Sequence, residues 1–390
     1  MTDRRPVIAG IGTSQLPKAP DLDSVGHHIL AARRALADAG LTLADVDGYC
    51  CAGGSRSEAE PDDMEVMVEY LGLSPSYTDG TMTGGSSFEI LVEHAAAALQ
   101  TGLCETVLIT YGSDLLSRVG RKLGTGGHFR PEARIVGPPQ YEVPYGGIIV
   151  AAYALAAQRH MYEYGTTSEQ LAAIAVAARA NAATNPEAMY RDPITVEDVL
   201  NSRLIADPLH KLDSCVISDG GGAVVLTTAE RARDLPQVPA TILATGSAET
   251  HWNISQMRDY TTTAAAQVGD LVFSRADVSR DDVDVLCTYD SFTITVLLAL
   301  EDLGFCKKGE GGPFVADGNI ALGGSLPVNT DGGGLSALHP GMRGMFLLIE
   351  SVKQLRGQAI NQVPDCDVAL ACGFGGWLSC VGGVLLGRGL

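Results

Sequence analysis

No stretch of this chain approaches the roughly 20 consecutive apolar residues that a membrane helix needs. Its first residues, Met1-Thr-Asp-Arg-Arg-Pro-Val-Ile-Ala, hold two arginines but no apolar segment of export-signal length. Neither a bilayer span nor export is therefore expected, and the reading places the protein in the cytoplasm. Basic residues are scarce: 27 Lys and Arg stand against 46 Asp and Glu, for a formal charge of −19. That sign opposes general attraction to phosphate backbones and anionic lipid, so nucleic acid and membrane surfaces are not expected partners. A small anionic ligand is still admissible, because one helix N-terminus can supply the complementary field. Paired Cys-x-x-Cys spacing is missing too. The nine cysteines (50, 51, 104, 215, 287, 306, 366, 372, 380) are scattered and odd in number, which points to neither a zinc site nor a redox dithiol. They read as reduced, buried small hydrophobes.

What is present is enough apolar material for large cores. A chain of 390 residues, 46% hydrophobic and 19% charged, predicts two or more domain-sized units. Strand and helix signals alternate, as in an α/β protein: Val7-Ile-Ala-Gly-Ile-Gly reads as a buried strand, and Asp23 to Gly40 as an amphipathic helix ended by glycine. An internal repeat is the stronger signal. Gly40-Leu-Thr-Leu-Ala-Asp45-Val-Asp47-Gly-Tyr-Cys50 matches Asp277-Val-Ser-Arg-Asp-Asp282-Val-Asp284-Val-Leu-Cys287 without a gap. A second pair of segments agrees with it. A helix from Ser86 to Leu99 leads through Gly102 to a strand at Val107, and a helix from Gly341 to Leu355 leads through Gly357 to a strand at Val368. The chain reads as two related halves, 1–237 and 238–390. The first carries an insertion over about 114–206, with glycines at 120, 124, 126, 127, 137, 146 and 147 and an Ala-rich helical face at 172–183. Inserts of this size cap a site or build an oligomer contact.

In this frame Gly84-Gly85 and His339-Pro340 take equivalent places, each just before a helix. Two helix N-termini brought face to face would aim free N–H groups and positive dipole ends at developing negative charge.

Three segments carry a family resemblance. Pro208-Leu-His-Lys-Leu-Asp213 through Ser218-Asp219-Gly220 is similar to a thiolase signature that closes the first half. Asn329-Thr-Asp-Gly-Gly-Gly-Leu-Ser336-Ala-Leu-His339-Pro340 follows the Asn-x-x-Gly-Gly…Gly-His-Pro pattern, with Leu338 in place of the last glycine. Cys372-Gly373-Phe374-Gly375-Gly376 is similar to the Gly-rich loop before the last strand. The chain thus resembles the thiolase superfamily, and within it the sterol-carrier-protein type. The resemblance implies an α/β thiolase fold of two halves in α-β-α-β-α layers.

The departures bear on function. Where the family has its nucleophilic cysteine this chain reads Thr83-Gly84-Gly85-Ser86-Ser87-Phe88, which puts Gly85 (or Gly84, with one residue of slack) at that position. Where the sterol-carrier type has His-Asp-Cys-Phe it reads Tyr289-Asp290-Ser291-Phe292. A thioester intermediate needs a thiolate, and Cys372 lies one residue past Ala371, the place of the family's second catalytic cysteine. Thiolase-like aldolases that cleave steroid-type β-hydroxyacyl-CoA side chains resemble this pattern, although their second catalytic position is a tyrosine and here it is His339. They work as assemblies with a small partner bearing a zinc ribbon and an OB-fold.

The resemblance accordingly implies a retro-aldol lyase. Tyr289 and His339 are its catalytic pair, in either order of base and acid. Gly85, Asp290, Ser291, Gly373 and Phe374 are supporting or oxyanion positions. No cofactor is expected beyond coenzyme A as part of the substrate, and no metal. A homodimer with an OB-fold/zinc-ribbon partner is expected. A tyrosine suits an alcohol-to-alkoxide proton transfer better than a carboxylate does, and His339 can switch near neutral pH. Other readings stay open. Tyr289 alone could be a packing residue, Asp290 a cap, and Ser86 or Ser87 either caps or replacement nucleophiles. The chain could also be an acyltransferase with an unusual nucleophile, or an inactive scaffold in which Tyr289 and His339 lie apart. Asp213, Ser218 and Asp219 read as turn builders, and His27, His28, His94, His128, His160, His210 and His251 lack ligand spacing.

Overall fold

A computed structural model describes residues 3–52, 63–120, 137, 139–145 and 149–390. Gly124, Gly126, Gly127, Gly146, Gly147 and His128 lie outside the described residues. In chain order the first half runs β1 (Pro6–Thr13), α1 (Ser24–Ala39), β2 (Gly48–Cys51), α2 (Met64–Leu71), β3 (Tyr77–Gly80), α3 (Ser87–Thr101) and β4 (Thr106–Ser113). The segment inserted after β4 is mainly helical: α4 (Leu115–Val119), α5 (Pro139–Glu142), α6 (Ile149–Tyr164), α7 (Ser168–Thr184) and α8 (Val196–Leu200). The hairpin β5 (Leu204–Ala206) and β6 (Leu209–His210) closes it, followed by β7 (Gly220–Thr228) and α9 (Ala229–Ala232). The second half runs β8 (Ala240–Glu249), α10 (Ala265–Arg275), β9 (Val285–Thr288), α11 (Thr293–Asp302), α12 (Gly311–Ala316), α13 (Gly344–Arg356), β10 (Val368–Gly375) and β11 (Cys380–Arg388).

The repeat read in the sequence is a repeat of physical devices. Thr42 and Asp45 form a capping box around a short 3-10 turn, and Ser279 and Asp282 form the same box around its counterpart. Next, the Asp47 carboxylate accepts from Glu105 N and Thr106 N at the start of β4. Asp284 does the same for Asp367 N and Val368 N at the start of β10. Each aspartate thus ties the end of its own turn to the first residues of the neighbouring strand, which sets β2 parallel to β4 and β9 parallel to β10.

The pairings that follow repeat as well. Strand β4 is antiparallel to β7 and β7 to β1, while β10 is antiparallel to β11 and β11 to β8. The halves join where β1 pairs with β8, Val7 opposite Thr241 and Ile8 opposite Ala240, giving a nine-stranded sheet in the order β3-β2-β4-β7-β1-β8-β11-β10-β9. The second half has no full strand in the place of β3. A single parallel bridge, Leu286 to Val328, stands there.

Helices α3 and α13 each pack on strands of both halves, whereas α1 packs on β1, β4 and β7 and α10 on β8 and β11. This is the five-layer arrangement, with α3 and α13 as the middle layer. Its apolar composition follows: Phe88, Leu91, Val92 and Leu99 of α3 and Met345, Leu347, Leu348 and Val352 of α13 are buried, each such side chain contributing about 1.5–3 kcal/mol. One boundary differs from the sequence reading. Helix α13 begins at Gly344, and Gly333–Ala337 form a π-helical turn well before it. Among the described residues no helix is long and apolar enough to cross a membrane.

Candidate active site

Tyr289 follows the last residue of β9 and is held from two sides. Its N–H donates to the Cys372 carbonyl of β10 at 2.9 Å, and the preceding Thr288 N–H donates to Asn329 Oδ1 at 2.9 Å. His339 is clasped through its main chain, its N–H donating to Ser218 Oγ at 3.1 Å and its carbonyl accepting from Ser218 N at 3.2 Å. Tyr111 of β4 fixes the next residues, donating from Oη to the Pro340 carbonyl at 2.5 Å and accepting from Met342 N at 3.0 Å. These anchors bring Tyr289 Oη to 2.9 Å from His339 Nε2, with the rings edge to face at 82°.

Both side chains are buried, and burial moves them in opposite senses. It pushes the Tyr289 phenol well above the usual tyrosine range. His339 falls to about 4, through burial first and the Arg343 charge second. The imidazole is thus held neutral by its surroundings, on a loop ahead of α13. At neutral pH the pair is phenol and neutral imidazole. Tyr289 O–H can donate to Nε2, or Nε2–H can donate to Oη while Tyr289 turns to the Gly341 carbonyl at 3.5 Å.

Gly85 meets this pair. A Cβ built on Gly85 would lie 2.0 Å from Tyr289 Cε2, 2.4 Å from its Cζ and 2.4 Å from the Phe374 carbonyl oxygen. The tyrosine ring fills the space that a nucleophile's side chain at residue 85 would need. Ser86 and Ser87 do not substitute for it. Ser87 Oγ donates to the Gly84 carbonyl at 2.7 Å and accepts from Thr83 N, and Ser86 Oγ bonds Thr83 Oγ1 at 3.0 Å, so both serve the helix start.

Asp290 is fully buried and faces away from the reacting pair. It accepts from Gly334 N at 2.7 Å and Leu335 N at 3.1 Å and lies 3.3 Å from Arg343 Nε. Arg343 also holds Asp331 through two bonds of 2.6 and 2.7 Å and donates to the Leu338 carbonyl. The flanking carboxylates keep Arg343 charged. Asp290 thus caps the Gly333–Ala337 turn, as one reading of it expects, and through that turn and Arg343 it positions the loop that presents His339. Ser291 bonds Thr295 Oγ1 at 3.0 Å.

These groups open on a cavity of about 1000 Å³, lined by Gly85, Tyr289, Ser291, His339 and Phe374, with Tyr153, Cys215 and Phe292 beside them and the exposed Arg203 and Lys211 at its edge. Gly373 differs from expectation: a Cβ there would point at Glu89 Oε2, 2.2 Å away, and the residue does not line the cavity. Asp213 accepts from His210 N, as a turn builder does, and from Thr293 Oγ1, whereas Asp219 accepts from Ala19 N and Ser117 and so ties distant segments together instead of closing a turn. Ser218 has the further task of holding His339. Tyr111 was missed outright, because an aromatic inside a β-run carries no sign of a partner more than 200 residues away. Burial raises the Cys215 thiol to about 12 and pushes the Cys372 thiol well above the ordinary range, so neither is a ready thiolate. Among the described residues no group of three or more His, Cys, Asp or Glu side chains is placed to hold a metal ion.

Residues 246–388 match the thiolase C-terminal domain-like family. A steroid side-chain-cleaving aldolase of Thermomonospora curvata is 37% identical, over 94% of this chain and 95% of that protein. A 17-hydroxy-3-oxo-4-pregnene-20-carboxyl-CoA lyase of Mycobacterium tuberculosis is 35% identical, over 95% of this chain and 96% of that protein. Among solved structures, the Ltp2-ChsH2(DUF35) aldolase superposes with a TM-score of 0.87 at 33% identity, covering 100% of this chain and 99% of that one.

Proposed function

The chain belongs to the thiolase superfamily, in the branch that includes the steroid side-chain-cleaving aldolases, and on that premise we propose that it is a carbon–carbon lyase. It cleaves a β-hydroxyacyl-CoA, of the steroid side-chain class, to a ketone or aldehyde and a shorter acyl-CoA. The observation that carries this reading is the 2.9 Å Tyr289–His339 pair standing in the space a nucleophile at residue 85 would need.

The substrate β-hydroxyl gives its proton to Tyr289 Oη as the phenol proton passes to His339 Nε2. The oxygen electrons then form the carbonyl of the departing ketone or aldehyde. The bond between the α- and β-carbons breaks, and its electron pair becomes the enolate of the shorter thioester. Return of the proton through the same pair to the α-carbon completes an atom-balanced cycle without an acyl-enzyme. A main-chain N–H at Gly85, beside the starts of α3 and α13, suits the enolate oxygen. The exposed Arg203 and Lys211 suit the phosphates of coenzyme A, a local complement to a chain of net charge −19.

The same proposal includes cytoplasmic residence and a homodimer that binds a DUF35-type partner with an OB-fold and zinc ribbon, after the ChsH2(DUF35) component of the similar aldolase. The raised pKa of the half-buried Cys215, the burial of Cys372 and the engagement of the Ser86 and Ser87 hydroxyls with Thr83 and Gly84 argue against the acyltransferase alternative. The short Tyr289–His339 distance argues against the scaffold.

The test is turnover of a steroid β-hydroxyacyl-CoA, with and without the partner, followed by ketone and short acyl-CoA release. Tyr289→Phe should lose roughly 10²- to 10⁴-fold, and acyl-CoA should leave no covalent adduct by mass. Full turnover in Tyr289→Phe, or a stable adduct, would overturn the reading.

A further inference from the structure

Glu89 lies in the first turn of α3, is 1% exposed, and among the described residues neither of its carboxyl oxygens has a hydrogen-bond partner. An acidic side chain in a helix's first turn is ordinarily solvated. This one is enclosed by three glycines from three elements. A Cβ on Gly373 of β10 would fall 2.2 Å from Glu89 Oε2, one on Gly344 at the start of α13 2.5 Å from it, and one on Gly382 of β11 2.8 Å from Glu89 Cβ. The same Gly344 position is 2.3 Å from the Gly85 carbonyl oxygen. Glu89 Oε2 and the Gly85 carbonyl thus face one another across the start of α13. They are two acceptors, directly beneath the peptide that meets Tyr289.

We propose that Glu89 is a positioning residue that works as a neutral acid: its proton stands between its own oxygen and the Gly85 carbonyl and keeps the Gly84–Ser86 turn in place for the enolate. Ionisation puts a second negative charge under the groups that receive the enolate, and turnover falls. The charged and titratable groups around it do not oppose this state. Cys372 of β10 is a buried thiol. Glu93, one turn along α3, pairs with Arg275 of α10. Arg343, next to Gly344, is turned to Asp290 and Asp331. Burial, outweighing the pull of its own backbone N–H, raises the Glu89 carboxyl to about 8.

The inference rests on the lyase reading for its effect on rate, but protonation can be read without turnover. Difference infrared spectra of the folded full chain against Glu89→Gln should show a protonated carboxylic acid at pH 7 that disappears above about pH 8. Thermal stability of the wild type should fall relative to Glu89→Gln as pH rises from about 4.5 to about 8 and level off above that, because over this window the unfolded chain has ionised the carboxyl while the folded chain still holds its proton. In the lyase assay, kcat should decline about tenfold per pH unit above about 8 in the wild type. In Glu89→Gln, whose amide can still donate, that limb should be absent and most of the neutral-pH rate kept. Glu89→Leu, filling the hollow without a donor, should lower kcat with no pH limb. An ionised carboxylate at pH 7 in the infrared spectrum, or an unchanged alkaline limb in Glu89→Gln, overturns the proposal. So does a folded Glu89→Gln without activity at any pH. If the substrate class were wrong, only the kinetic arm would be lost.

Discussion

Substituting Gly85 by alanine adds one carbon where three atoms already stand, and the structure says how much must move. The new Cβ starts 2.0 Å from Tyr289 Cε2 and 2.4 Å from the Phe374 carbonyl oxygen. Ordinary carbon contacts lie near 3.5–4.0 Å, so the ring must retreat by roughly 1.5 Å. The carbonyl belongs to β10, paired with β11 where Phe374 stands opposite Val381, and yields little. Overpacking of this kind costs about 1–3 kcal/mol. The retreat also takes Tyr289 Oη out of its 2.9 Å bond to His339, and a misplacement of about 1 Å costs on the order of 10²-fold in rate. Gly85→Ala should therefore lose about 100-fold in kcat and several degrees in Tm, both measured on purified protein. Tyr289→Ala removes the obstructing ring, so Gly85→Ala should cost about 1–2 kcal/mol less in that background, the Phe374 carbonyl part remaining. A Gly85→Ala variant with wild-type Tm and turnover would refute the claim that the ring fills the nucleophile's place.

His339, depressed to about 4 from an ordinary 6.5, resists protonation in the folded state. The unfolded chain binds that proton more readily, so stability is lost as pH falls from about 6.5 to 4. The loss is about 3 kcal/mol, and denaturation of wild type against His339→Gln at several pH values measures it. Asp290→Asn leaves Arg343 short of one buried partner and should cost about 3 kcal/mol in denaturant unfolding. It should also lower kcat, because the loop that presents His339 loosens.

Much of the frame was legible because it is local. The Thr42/Asp45 and Ser279/Asp282 boxes, and the aspartates two residues after them, are short-range devices that leave the same letters at the same spacing in both halves. Tyr289 and His339 stood out because each sits in a motif with fixed neighbours. What stayed hidden depends on contacts between distant segments. Tyr111 reads as any strand aromatic until Pro340 and Met342 are beside it. Ser218 reads as a turn serine until it bonds both sides of the His339 main chain. Glu89 reads as a favourable first-turn acid, since nothing nearby in sequence says that glycines from α13, β10 and β11 close over it. The start of α13 was placed at Gly341 because loop glycines and the helical pattern run together there. The true start is set by Arg343 turning back to Leu338 and Asp331.

The two halves share a plan but not the work. Both side chains of the proposed catalytic pair, Tyr289 and His339, come from the second half, while facing them the first half offers Gly85, a residue with no side chain at all. On the proposed chemistry, a duplicated architecture has one copy that handles protons and one that supplies surface. The chemistry can then be altered by substitutions around β9 and the 329–340 loop. Accommodation of the substrate can be altered from the first half and its insertion, with neither change forcing the other.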